Sequence, residues 1–273
     1  MVWRLLSRVF LFFFFIPNTY GYSLNDHAQL TRAAAESLSQ CFPGRFTSRA
    51  VESMVRANQW EDQNLLRKWV RYSHFYNPER EFSSLRLTSR DRILDLETKI
   101  KARGPGPVSK KLIGETLHHI QDMSAPPHVI PVNHLWTDGF ESLQVTVEKR
   151  FDFTSCSELI DQATQISLPE IHVQLAEETL RQVQNGSLLA ARIHPEGNRQ
   201  TRLPLLVFWS PGGPDEWGTY GIFGNAYGEK TLRSNSGTFF VPSGEYAAIK
   251  QKQLQLALRA SQLVLTKLYV LGI

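Results

Sequence analysis

The stretch HHIQDMSAPPH, residues 118–128, sets three histidines and one aspartate around the end of a helical pattern. Residues four apart in a helix stand one turn above each other, so His118 and Asp122 project side by side and can share one cation. On the same wheel Leu112, Ile113, Leu117 and Ile120 form the apolar face, which turns the His118–Asp122 stripe the other way, toward water or a polar cleft. Pro126 and Pro127 stop the helix, and the extended exit they impose swings His128 back toward its end. A His-x-x-x-Asp pair alone fits a capped, solvated helix end equally well, so its neighbours decide.

Those neighbours lie upstream. His27 opens a helix on the same face as Leu30, Ala34 and Leu38, at one end of a core-facing stripe. The segment NQWEDQNLLRKWVRYSHFYNPER, residues 58–80, supplies Asp62 and, twelve positions later, His74, followed by the turn signal FYNP. Imidazole nitrogen and carboxylate oxygen suit zinc, and a set without thiolates points to a catalytic centre over a closed structural one. The chemistry such a set supports is metal-assisted hydrolysis.

GETLHHIQDMSAPPHV, residues 114–129, resembles the His-x-x-x-Asp-x-x-x-x-x-His motif of the zinc-dependent phospholipases C, and SHFYNP, residues 73–78, resembles their His-Phe-Tyr-Asp-Pro segment. The zinc-dependent single-strand nucleases share that architecture. The specific motifs run from the mature N-terminus to about residue 141, and beyond it only the concluding helix fits. The resemblance implies three zinc ions at one end of a helical bundle. One would be held by Asp62, His74, His118 and Asp122, with Asp122 bridging to a second. That second ion would be completed by His27 and by the α-amine and carbonyl of the mature N-terminal residue, Tyr22, where the nuclease branch has tryptophan. The third would use His128 with a downstream His-x-x-x-Glu pair. In NHLWTDGFE, residues 133–141, Glu141 matches the glutamate, but Thr137 stands where the histidine belongs. His134 is then the partner of Glu141, with Asp138 a weaker substitute; the alternative is two tight zincs and a weak or absent third.

The resemblance implies a phospholipase C that releases diacylglycerol and a phosphorylated headgroup, with Asp62 as ligand and proton acceptor. Its partners would be phospholipid and, transiently, the membrane surface, and it would act as a monomer. The rivals are a nuclease or nucleotidase with the same metals, and a non-catalytic exported zinc-binding protein. His119 points away from the His118 stripe and reads as an outer or surface residue, and His172 and His194 lie in no motif. Trp136, Phe140, Trp217, Tyr220, Phe223 and Tyr227 either line a cleft suited to a quaternary ammonium headgroup or simply pack.

The chain has 273 residues, 42% hydrophobic and 21% charged, which places it among folded globular proteins. Residues 1–21 read as a secretory signal: Arg4 and Arg8, the apolar run VFLFFFFI, then PNTYG. Cleavage after Gly21 leaves a domain over 22–273, secreted or periplasmic; cleavage after Ser23 competes. Losing Arg4 and Arg8 takes the formal charge from +4 to +2, which gives no electrostatic reason to expect a stable nucleic-acid partner. In an exporting compartment Cys41 and Cys156 either form one bridge or stay as two buried thiols.

Helical spacing dominates, over about 26–40, 47–58, 62–72, 90–103, 109–122, 139–150, 157–165 and 169–185. From Pro204 to Gly244 glycines, prolines and aromatics crowd together, giving a long irregular loop with room for a short hairpin, before a strong closing helix. The fold expected is all-α, a multi-helix bundle of the phospholipase C and single-strand nuclease type.

Overall fold

The computed structural model describes residues 22–63, 74–80, 87–104, 106–132, 139–213, 216–221 and 230–272. Residues 1–21, read from the sequence as a signal, and most of the helix expected at 62–72 lie outside them.

The first helix, α1 (Leu24–Ser37), is started by a capping box in which Ser23 and Asp26 satisfy each other's backbone N–H. It buries Leu30 and Ala34, and a 3₁₀ turn carries the stripe on to Leu38. Next come α2 (Ser48–Gln63), α3 (Ser89–Lys101) and α4 (Lys110–Asp122), the last capped by Ser109. One-turn helices α5 (Pro126–Val129) and α6 (Gly139–Ser142) precede α7 (Cys156–Gln165) and α8 (Leu168–Asn185). The closing helix α9 (Ser243–Leu265) is the longest of those described and widens into a π-helical turn over Thr266–Leu271.

Helix α4 is central, touched by α1, α2, α3, α8 and α9, with its most extensive contact against α2. Gly114 makes that contact possible. A Cβ there would lie 2.4 Å from the Met54 carbonyl oxygen and 2.6 Å from Ala57 Cβ, so any larger residue holds the two helices apart.

The all-α expectation holds only in part, because the protein is mostly helical but carries two antiparallel sheets. One has the order β2-β1-β6-β5, from β1 (Ser187–Ile193), β2 (Arg199–Pro204), β5 (Lys230–Ser234) and β6 (Gly237–Val241). The other pairs β3 (Trp209–Ser210) with β4 (Thr219–Tyr220). Leu188, Ala190, Leu203, Leu232, Phe239 and Val241 are buried, which is the period-two pattern of a sheet with one covered face. The stretch 204–244 does hold the short hairpin allowed for, β5–β6, which joins a larger sheet through β1 and β2, strands the sequence reading does not anticipate. The helix expected at 139–150 is also corrected: it stops at Ser142, and residues 144–150 run without regular structure.

A buried ion pair and a disulfide link segments far apart in sequence. Lys250 on α9 donates to Asp26 on α1 at 2.8 Å and to the Leu143 carbonyl, with both charged side chains fully buried. Cys41 and Cys156 form a disulfide across 115 residues of sequence, resolving the choice the sequence left open. A loop of that size predicts a cost of about 2–4 kcal/mol on reduction. Urea unfolding of the wild type and of a Cys41→Ser/Cys156→Ser variant measures it; equal midpoints would count against any stabilising role.

Candidate metal centre

The ends of α1, α2 and α4 and the segment 74–80 converge on one buried cluster. Because Gly114 brings α4 onto α2, the next turns of α4 carry His118 and Asp122 to the level of Asn58 and Asp62. His118 Nδ1 lies 3.3 Å from Asn58 Oδ1, and its Nε2 lies 3.8 Å from Asp62 Oδ1. Donation from Nδ1 to the Asn58 oxygen leaves the Nε2 lone pair turned inward.

His74 enters from the turn after the undescribed segment. Its Nδ1 is 2.9 Å from Asp122 Oδ2 and 3.1 Å from His118 Nε2, and His118 Nε2 is 3.3 Å from the same Asp122 oxygen. Donors at about 2.0–2.1 Å from a tetrahedral zinc stand roughly 3.3 Å apart, so these three atoms nearly span one face of such a shell.

The other oxygen of Asp122 faces elsewhere. Asp122 Oδ1 is 3.3 Å from His27 Nε2, which is also 3.8 Å from Asp62 Oδ2. His27 Nε2 and Asp122 Oδ1 are buried and have no hydrogen-bond partner among the described residues. Gln121 fixes the ring: its Oε1 accepts from His27 Nδ1 at 2.8 Å and from Asn58 Nδ2 at 2.9 Å, while its Nε2 donates to Ser261 Oγ on α9 at 3.0 Å. The nitrogen that remains on His27 is aimed at two carboxylates.

The electrostatics agree with a site built for a cation. Burial opposes charge on His27, yet the facing carboxylate of Asp122, with Asp62 behind it, raises its pKa to about 9. Burial likewise opposes ionisation of Asp122, but the His118 and His128 imidazoles hold it well below the usual carboxylate range. A proton on His27 and a metal ion are alternative ways to neutralise the same two carboxylates.

Two overlapping groups of donors could therefore hold a metal ion: His74, His118, His119 and Asp122, and His27, Asp62 and His118. No family model, curated protein or solved structure matches this chain. The site therefore has to be judged on its own geometry, and the donor set, two carboxylates among imidazoles with inward atoms lacking partners, fits a divalent cation.

Several expectations change at this point. The His118–Asp122 stripe does not face water: α4 is buried all round from Gly114 to Asp122, so its polar residues face other helices. His128 does return to the helix end, but by the single turn α5 with prolines at its start, not by an extended exit. Its Nδ1 donates to the His74 carbonyl at 2.7 Å and lies 3.6 Å from Asp122 Oδ2, while its ring stacks on Phe75. His119, read as an outer or surface residue, is fully buried and belongs to one of the donor groups.

Tyr22 is fully buried, its hydroxyl 2.8 Å from Ser124 Oγ and its ring edge-on to His27. His134, Asp138, Trp136, Phe223 and Tyr227 lie outside the described residues, as does the Glu141 side chain, although α6 includes its backbone. Phe140 is packed in the core against Tyr22 and Trp209. Trp217 stands edge-on to Phe75, which in turn covers His128, so these two rings wall one side of the centre.

His172, outside every motif, is fully buried with Nε2 2.9 Å from Ser89 Oγ. Burial, with the nearby His119 and Arg90, pushes its pKa from 6.5 down to about 3. The folded protein thus keeps His172 neutral where the unfolded chain binds a proton. Its contribution is intact above pH about 6.5 and is lost as pH falls toward 3, on the order of 5 kcal/mol over the whole range. Urea midpoints of metal-free protein between pH 4.5 and 7 should fall less steeply in a His172→Gln variant; an unchanged slope would refute the assignment.

Proposed function

We propose that the chain is an exported zinc-dependent phosphodiester hydrolase, a phospholipase C, with the helical architecture of that family and of the single-strand nucleases. The observation that carries this reading is the division of Asp122: one oxygen faces His74 and His118, the other faces His27. A carboxylate so placed would be able to serve two ions at once. The disulfide supports export, since such bonds persist in oxidising compartments.

Zinc ions bound here would supply Lewis acidity and a water of lowered pKa, which a dianionic transition state needs. The chain's own residues do the rest. His74, His118 and Asp62 would hold one ion and His27 the other, with Tyr22, anchored beside His27, offering its terminal amine after cleavage at Gly21. Asp62, whose two oxygens face His118 and His27, would take the proton of the attacking water. His128 would start a third position with His134 and Glu141. Phe75 and Trp217 would shield the site from bulk water on one side and offer an aromatic face to a quaternary ammonium headgroup.

The test uses the secreted chain, with its N-terminus sequenced and its metal content measured. The zinc-loaded protein is then assayed in parallel on phosphatidylcholine vesicles and single-stranded DNA. Release of phosphocholine from a chain beginning at Tyr22 with at least two zincs is the expected result. Cleavage of DNA alone would replace the phospholipase reading with the nuclease one, and metal without turnover on either substrate would leave a zinc-binding protein.

A further inference from the structure

Four donors, His74 among them, converge here, and one of them is a residue that helical spacing places elsewhere. His119 is fully buried, and neither of its ring nitrogens has a hydrogen-bond partner among the described residues. One donor atom of His119 lies within 4.8 Å of donor atoms of His74, His118 and Asp122, all buried. Its ring is edge-on to His118 and 5.2 Å from that of His74. A buried imidazole nitrogen left unmatched is costly, and an ion among these four groups would remove that cost for one of the two.

The residues behind His119 fit that role. Glu61 Oε2 lies 3.5 Å from His119 Nε2, and Glu61 is in turn faced by Arg92 at 3.6 Å, which also pairs with Glu115 at 3.2 Å. A carboxylate behind an imidazole is the arrangement that orients histidines toward metals.

We propose that His119 is a direct ligand of the ion shared by His74, His118 and Asp122, with Glu61 and Arg92 as its positioning partners. The ion then has three imidazoles and one carboxylate, and Asp62 is left to serve His27 on the neighbouring ion. This rests on the metal-binding reading above. It departs from the assignment based on resemblance, which gives the first ion two imidazoles and two carboxylates.

X-ray absorption on the full secreted chain with one equivalent of zinc separates the two, because it counts imidazoles in the intact protein. Three imidazoles are expected; two would overturn the inference while leaving the metal site standing. Cobalt titration of a His119→Gln variant gives a second readout. A loss of about a hundredfold or more in affinity for one ion, with an altered visible spectrum, is expected. Affinity within about threefold and an unchanged spectrum would overturn it. Wild-type protein that retains no zinc on dialysis would instead refute the metal-binding reading itself, and this inference with it.

Discussion

An Asp122→Asn variant should lose both of the proposed ions together. The amide would keep the size and one acceptor oxygen, but not the charge that faces His27, His74 and His118 at once. Each donor group would then lose its shared anion, and burial of the remaining imidazoles would work against any cation. Equilibrium dialysis should find no ion bound at micromolar zinc, and the proposed phospholipase turnover should fall on the order of a thousandfold or more. Retention of one tight ion would refute the bridging role, since it would show that the two groups are separable. Circular dichroism of the metal-free variant checks that the helices persist.

Gly114→Ala should be the most destabilising single methyl addition to α4. The added Cβ would sit 2.4 Å from a backbone carbonyl oxygen on α2, which cannot rotate aside as a side chain could. Separating the helices costs about 3 kcal/mol or more, a drop of roughly 10 °C in Tm for a chain this size. The same separation carries His118 away from Asp62, so zinc affinity should fall with stability even though no donor is altered. A Tm within about 2 °C of wild type would show that α4 tolerates a shift and that the close approach is not required.

The donors are legible in the sequence to the extent that chemistry is local. His118, Asp122 and His128 lie within eleven residues, and Asp62 and His74 are framed by a helix end and a turn. What the sequence hides is how deep α4 lies. Wheel reasoning assigns polar residues to the solvent face, but α4 is enclosed by helices on every side, and its polar face is buried against other polar groups. Such reasoning misplaces His119 and passes over Gln121, and it gives no weight to Asn58 and Glu61, which flank Asp62 on the facing helix. Gly114, in the middle of a strong helix, is the available sign that another backbone comes close there.

The sheet beyond its one hairpin escapes a sequence reading for a different reason. Its strands are short and carry Arg192, Arg199, Arg202 and Arg233 among the apolar residues, so each alone looks like loop. Yet KTLRSNSGTFFV, residues 230–241, holds two short runs around a turn. The structure closes it as a hairpin on Asn235–Ser236, with Gly237 at a φ of 136° that favours glycine.

The hydrogen bond from Gln121 to Ser261 gives the closing helix a say in a centre to which it contributes no donor. Every proposed ligand has been synthesised by residue 141, yet Gln121 is steadied in part by a hydroxyl 120 residues further along. A shortened polypeptide ending before Ser261 would possess the whole set of metal-binding groups and still leave His27 poorly aimed. On the metal-binding reading, cation affinity would then depend on a residue of the closing helix that touches no ion.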